Sequence, residues 1–395
     1  MIKRILSSRL LSLARSFPVI ALTGPRQSGK TTLAQHAFPR KPYVLLEDPD
    51  TRDFALKDPR GFLAQFPNGA IIDEAQRAPQ LFSYIQGIVD QKTRPGMFIL
   101  TGSQNFLLME EISQSLAGRV ALLTLLPLSF KELAKNGTSL NSPEEYIFRG
   151  FYPRLYNQDI PPRDLYANYV HTYIERDIRL LKNVHDLSAF HTFLKMCAAR
   201  VGQLVNLSSL ANDCGITHNT AKAWLGLLES SYIIYLLRPH HKNFNKRLVK
   251  MPKLYFYDTG LACYLAEIKD TKILAHHPFK GALFESLIIT EILKGYLNAA
   301  EEPGIYFWRD KIGHEIDCLI DQASQLTPVE IKSGKTVSED FFKNIQYWSD
   351  IADIPHQKGI VVYGGKASQR RSHIEVLCWK EFLVEYPMPL SKNNA

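Results

Sequence analysis

The chain has 395 residues, 45% hydrophobic and 22% charged, with 47 Lys+Arg against 39 Asp+Glu. That length fits two or three domains at roughly 150 residues each, and the composition excludes a disordered, collagenous or coiled-coil chain. The net charge of +8 favours a polyanionic partner: nucleic acid, nucleotide or a membrane surface. Eight basic residues and no acid fall in the first 46 positions, so the whole excess sits there.

Ile2, Ile5, Leu6, Leu10 and Leu13 repeat at helical spacing. The segment is basic, as transit peptides are, but it runs directly into an apolar strand, Pro18 to Thr23, and reads as a first helix. Next comes Gly24-Pro25-Arg26-Gln27-Ser28-Gly29-Lys30-Thr31, which matches G-x-x-x-x-G-K-[ST], with a helix continuing through Thr32. Strand, loop and helix in this order form a phosphate cradle. Glycines let backbone N–H groups turn inward, and the helix N-terminus adds positive potential. Lys30 is expected to reach the β- and γ-phosphates of ATP, and Thr31 to ligate Mg²⁺.

A second apolar strand ends in Ile71-Ile72-Asp73-Glu74, the pattern of a Walker B strand. Asp73 is expected to hold Mg²⁺ through water, and Glu74 to orient and deprotonate the attacking water. A third strand, Met97 to Leu100, runs into Thr101-Gly102-Ser103-Gln104-Asn105. Ser103 is the favoured γ-phosphate sensor, with Asn105 and Thr101 as rivals. Arg119 precedes another apolar strand, as an arginine finger in a homo-oligomer or as a surface salt bridge.

These segments resemble the prokaryotic AAA+-type ATPases that carry a C-terminal domain of unknown function 4143. The resemblance rests on GPRQSGKTTLA, IIDEAQ, ILTGSQNFLL and SLAGRVALLTLLPLSFKEL. It extends through RGFYPRLY, YIERDI, YFYDTGLACYL and FWRDKIGHEIDCLI…VEIKSGK. It implies an α/β chain with a P-loop NTPase (AAA+-like) domain at 1–135. A helical linker or lid at 136–200 would follow, then a winged helix at 201–275 and an α/β tail at 276–390.

In the linker region, Arg176 and Asp177 either pair structurally or approach the nucleotide. Further on, Ser208 can cap a short helix, Gly215 can make a turn and Thr217 can cap the helix His218 to Glu229. Ala221, Trp224, Leu225 and Leu228 share one face of that helix, leaving His218, Asn219 and Lys222 exposed. Two β-rich runs, Tyr232 to Leu237 and Leu254 to Tyr257, complete a winged-helix pattern. Between them, Arg238, Lys242, Lys246, Arg247, Lys250 and Lys253 occur with no acid. Such a wing contacts a DNA backbone in a salt-sensitive way or serves as a packing module. No Arg on the second helix can fork onto guanine, which argues against sequence-specific readout.

The tail holds another constellation: Glu285 on a helix, a hairpin bearing Asp317, a strand Pro328 to Lys332 and Gln346 on a later helix. It resembles the nuclease superfamily whose signature is PD-(D/E)xK, with Ile316 where the proline would stand. That resemblance implies Asp317, Glu330 and Glu285 as divalent-metal ligands, Lys332 as the group that positions or activates water, and Gln346 as a steadying residue. An active nuclease, a fold that only binds nucleic acid and a structural tail all remain open.

Cys197, Cys214, Cys263, Cys318 and Cys378 form no CxxC pair, which fits a reducing cytoplasm and buried thiols. No apolar run reaches the roughly 18 residues of a membrane span. Two functions follow as expectations: an Mg²⁺-dependent ATPase that acts on DNA, or a nucleotide switch whose second half binds protein or nucleic acid without chemistry. A kinase is disfavoured, because no acceptor-site signature is present.

Overall fold

Five short apolar strands make the N-terminal sheet: β1 (Val19–Thr23), β2 (Tyr43–Leu45), β3 (Ile71–Asp73), β4 (Phe98–Thr101) and β5 (Val120–Thr124). All pair in parallel, in the order β2-β3-β4-β1-β5. Continuous apolar runs are what a parallel sheet covered on both faces requires. One face packs Val19, Ala21, Ile72, Phe98 and Leu100 with Phe82 and Ile85 of α3 (Leu81–Gln91). The other packs Ile20, Leu22 and Ile99 with α1 (Leu6–Leu13) and Leu33 and Ala34 of α2 (Lys30–Ala37). The first helix forms over Leu6–Leu13 only, with Ile2 and Ile5 of the apolar repeat before its start, and Leu6 and Leu10 are fully buried.

The computed structural model describes residues 2–92, 94–103, 115–174, 186–240, 249–322, 325–352, 359–371 and 373–385. They divide into two units, the first Met1–Leu128 with Ser230–Tyr232 and Tyr296–Glu301. The second holds Ser129–Glu229, Ile233–Gly295 and Glu302–Ala395.

The second unit begins with helices, among them Pro143–Arg149 and Pro162–Tyr169. Then come α4 (Leu187–Ala198), α5 (Leu207–Asp213) and α6 (His218–Ser230). Gly215, at φ +65°, makes the turn between α5 and α6, and Thr217 Oγ1 caps α6 by accepting from Thr220 N at 3.1 Å. The cap of α5 is Asn206, whose Oδ1 accepts from Ser209 N at 3.1 Å; Ser208 lies inside the helix. The carboxamide one residue before the helix is placed to reach the third amide, which Ser208 is not. Trp224 of α6 meets Phe190 and Phe193 of α4 edge-on. An antiparallel hairpin, β6 (Ile234–Leu237) and β7 (Lys253–Phe256), completes the helix–turn–helix-plus-hairpin module.

The long helix α7 (Lys280–Asn298) leads to a six-stranded mixed sheet. Its strands are β8 (Ile305–Arg309), β9 (Glu315–Asp321), β10 (Leu326–Lys332), β11 (Gly359–Tyr363), β12 (Gln369–Arg371) and β13 (Ile374–Cys378). The order is β12-β13-β11-β10-β9-β8, with β10, β11 and β13 parallel and the rest antiparallel. Phe342, Ile345 and Trp348 of α8 (Asp340–Ile351) fill the core on one face. All five cysteines are buried. No helix among the described residues is long and apolar enough to cross a membrane.

Candidate functional sites

The first site lies at the C-terminal ends of β1, β3 and β4. The loop after β1 turns through Gly24 at φ +136°, Gln27 at +61° and Gly29 at +94°. A Cβ on Gly24 would stand 2.2 Å from Leu125 O, so only glycine fits. Lys30 is buried and folds over the loop, its Nζ donating to Gly24 O at 2.9 Å and Pro25 O at 2.7 Å. Pro25 and Ser28 are buried, Arg26 is half-buried and Thr32 is exposed. The loop also has a brace that was invisible in the motif. Arg4, 7% exposed, donates to Ser28 O and to Leu126 O, each at 2.6 Å.

Asp73 is the hub. Its Oδ2 accepts from Thr31 Oγ1 at 2.6 Å and Tyr43 OH at 2.9 Å, and its Oδ1 accepts from Thr101 Oγ1. Burial and the Asp73 carboxylate push the Tyr43 phenol well above its usual range, so it remains a donor. The rival sensor Thr101 is therefore engaged with Asp73. Ser103 instead donates to Glu74 Oε2 at 3.2 Å, and Gln76 Nε2 donates to the same oxygen at 2.6 Å. Glu74 itself sits at φ +54°, a left-handed conformation that costs a non-glycine residue roughly 1–3 kcal/mol. Asn105 lies outside the described residues.

The hydroxyl of Thr31 and the carboxylate of Asp73 are hard oxygen donors, the set that Mg²⁺ prefers. The glycine-formed loop beside them has the positive-φ turns by which backbone N–H groups can face phosphate oxygens. Arg119 stands at the opposite, N-terminal end of β5 and makes a two-point ion pair with Asp90, with Nη2–Oδ2 at 2.9 Å. Within this chain it is a surface salt bridge, far along the strand from the loop.

The second site lies between β7, α7, β9 and β10. Glu315 and Asp317 are two apart on β9 and share a face, as Glu330 and Lys332 do on β10. The antiparallel register that pairs Val329 with Cys318 brings the two faces together. Ile331 N donates to Asp317 Oδ2 at 2.8 Å, and Lys332 Nζ lies 3.5 Å from the same oxygen. The carboxylate oxygens that converge within 4.8 Å of one another come from Glu285, Glu315 and Asp317. Glu330 is not in that group: it is 1% exposed, with Oε2 2.5 Å from Lys332 Nζ and Oε1 without a hydrogen-bond partner among the described residues. Burial pushes Glu330 above the usual carboxylate range, and Asp317's charge adds to the shift.

Two residues that were not expected here complete the cluster. Lys253, 2% exposed, places Nζ 2.6 Å from Glu285 Oε1 and 2.6 Å from Glu315 Oε1. Tyr255 OH donates to Glu285 Oε1 at 2.5 Å. Burial opposes the charge on Lys253, but Glu285, Asp317 and Glu315 outweigh it and hold the ammonium well above its usual range. The period-2 spacing of Glu315 from Asp317 was a legible signal that the two carboxylates share a face. For Lys253 the local sequence pointed the other way, to a solvated basic run.

Lys253 thus leaves the expected wing surface, and Arg238 pairs with Glu229 at 3.1 Å. Of the remaining wing and helix candidates, His218, Asn219, Lys222 and Lys250 are exposed. Lys242, Lys246 and Arg247 lie outside the described residues, as do Arg176 and Asp177. Gln346 is exposed on α8 and makes no hydrogen bond to the acidic cluster among the described residues. The apolar face set by Phe342, Ile345 and Trp348 turns it to solvent.

Three family models match the chain. An AAA domain covers residues 16–134, a domain of unknown function (DUF8612) covers 140–272, and a second (DUF4143) covers 280–382. An uncharacterized protein of Mycobacterium tuberculosis is 31% identical over 342 residues, which is 85% of this chain and 75% of the relative. An uncharacterized protein of Methanocaldococcus jannaschii is 22% identical over 75% of this chain and 70% of the relative. Among solved structures, the Walker-type ATPase of Pyrococcus abyssi is 14% identical with a TM-score of 0.44. That match covers 67% of this chain and 96% of the other.

Proposed function

We propose that this chain, which belongs to the family of AAA-domain P-loop ATPases carrying a C-terminal DUF4143 domain, hydrolyses ATP with Mg²⁺ and uses its second unit to handle DNA. The observation that carries the hydrolytic part is the pairing of Glu74 with Ser103 beside the Thr31–Asp73 contact. A binding-only site needs the loop, Lys30 and Asp73. A held carboxylate next to them is what water activation requires.

In this reading the backbone amides of Gly24 to Thr32 hold the phosphates, and Lys30 swings from the loop carbonyls to the β- and γ-oxygens. Thr31 and Asp73 supply oxygens for Mg²⁺, which when bound neutralises charge on the transferring phosphoryl group. Glu74 orients a water and takes its proton, and Ser103 and Gln76 fix the carboxylate that does so. ATP turnover should vanish in Lys30→Ala. Glu74→Gln should bind ATP without hydrolysing it. Wild-type turnover in both variants would remove the assignment.

The DNA part is supported by the exposed His218, Asn219 and Lys222 at the start of α6 and by Lys250. Cleavage is supported by the convergence of Glu285, Glu315 and Asp317, whose oxygens suit a divalent ion. A second reading, a nucleotide switch without nuclease chemistry, is favoured by one observation: Lys253 already satisfies two of those carboxylates. Mg²⁺- or Mn²⁺-dependent plasmid nicking by wild type but not by Asp317→Ala or Lys332→Ala decides for cleavage. Equal behaviour of all three decides for the switch.

A further inference from the structure

Four carboxylates meet between β7, α7, β9 and β10: Glu285, Glu315, Asp317 and Glu330. Three cations face them within ion-pair distance. Lys253 bridges Glu285 and Glu315, Lys332 sits on Glu330 and Asp317, and Arg309 Nη1 lies 2.9 Å from Glu315 Oε2. Counted as fully ionised, the four carboxylates exceed the three cations by one charge. The positions of the cations are unequal. Lys332 and Arg309 are 29% and 39% exposed and approach from the edge. Lys253 is 3% exposed at its side chain and lies 2.6 Å from two oxygens of different residues. A bridging divalent cation would need the same space.

Glu285 Oε1 is the tightest point, since it accepts from both Lys253 and Tyr255. A buried ammonium with two carboxylate partners is expensive to move, because withdrawing it leaves their buried charge uncompensated. Conversely, a unit charge a few ångströms from a divalent ion repels it strongly where water is excluded.

We propose that Lys253 is an internal counter-ion that occupies the cation position of the Glu285–Glu315–Asp317 cluster and competes with a divalent metal for it. This rests on the reading of that cluster as a metal site. The cluster then exists in two forms: one closed by the lysine, and one loaded with metal after the lysine withdraws. Metal affinity is set by a residue that is not itself a ligand, on a strand of the helix–turn–helix-plus-hairpin module rather than of the acidic sheet.

The test is Mn²⁺ binding to the full chain without nucleotide, by calorimetry, for wild type, Asp317→Asn, Lys253→Met and Lys253→Met/Asp317→Asn. Methionine keeps an unbranched side chain one heavy atom shorter and removes the charge. Binding to Lys253→Met at least about tenfold tighter than to wild type, with the gain lost in the double variant, is the expected result. Equal, Asp317-dependent binding by wild type and Lys253→Met overturns the competition and leaves the metal site standing. No Asp317-dependent binding in either overturns both. Should Lys253→Met fail to fold, acetylation of the wild-type lysines by an amine-reactive ester, read by mass spectrometry, decides instead. Lys253 should be protected without metal and become reactive as Mn²⁺ is raised; protection that is unchanged by Mn²⁺ overturns the proposal.

Discussion

The Thr31 hydroxyl donates to the Asp73 carboxylate at 2.6 Å across 42 residues of chain, joining the start of α2 to the end of β3. That contact sets the spacing of the two oxygens proposed to hold Mg²⁺. Asp73 is held from a third side by Thr101, at the end of the strand that separates β1 from β3. Replacing Thr101 by Val keeps the shape and deletes the donor. A buried hydrogen bond to a charged group contributes about 1.5–3 kcal/mol. Thr101→Val should lower stability by that order in thermal melts and raise the Mg²⁺ concentration needed for half-maximal ATPase rate. An unchanged Mg²⁺ requirement would show that Thr101 has only a packing role.

Glu74 and Ser103 give a sharper kinetic prediction. Ser103 holds Glu74 Oε2 in this structure, and no phosphate contact is needed to explain its burial. Ser103→Ala should therefore reduce kcat by about tenfold, corresponding to roughly 1.4 kcal/mol, with nucleotide affinity nearly unchanged. A γ-phosphate sensor would behave differently: the same substitution would weaken ATP relative to ADP. Measuring both nucleotide affinities and kcat separates the two roles.

Arg4 is a structural brace with a functional consequence. Its guanidinium ties the loop carbonyl of Ser28 to Leu126 O beyond β5. Arg4→Met preserves the apolar stem but leaves these buried carbonyls without those donors. The expected loss is about 1.5–3 kcal/mol of stability, together with weaker binding of a fluorescent ATP analogue. Lysine at this position should recover only part of both, because one ammonium cannot reproduce the planar fork. Full recovery by Arg4→Lys would mean that charge alone matters there.

The residues that were legible in the sequence are those whose chemistry requires a local pattern. Gly24 and Gly29 must adopt positive φ, Lys30 and Thr31 must follow them on a helix, and Asp73 must end an apolar strand. Each condition is written within a few residues. The helix–turn–helix was legible for the same reason, through Gly215, Thr217 and the buried face of α6. What was not legible depends on tertiary proximity. Arg4, Tyr43 and Lys253 carry no motif, and they reach their partners across 24, 30 and 32 residues. Lys253 was misread because its neighbours in sequence are basic, whereas its neighbours in space are Glu285 and Glu315. Gln346 erred in the other direction: the apolar positions of α8 fix which way the helix faces, and Gln346 is on the outer side.

DNA contact by the second unit predicts a particular salt dependence. His218, Asn219 and Lys222 occupy the exposed first turns of α6, and Lys250 is exposed before β7. If α6 lies against a duplex, Lys222 and Lys250 meet phosphates, and each neutralised phosphate contributes roughly −0.9 to the slope of log affinity against log salt. Lys222→Ala and Lys250→Ala should each weaken binding uniformly across sequences and make that slope shallower by about one. Asn219→Ala should weaken binding without changing that slope, because an amide releases no counterion. The measurement is a fluorescence-anisotropy titration of a labelled duplex at several salt concentrations. A slope unaffected by either lysine would locate DNA contact elsewhere or remove it from this module. In that case α6 serves, through Trp224 and its partners Phe190 and Phe193, as a packing element of the second unit.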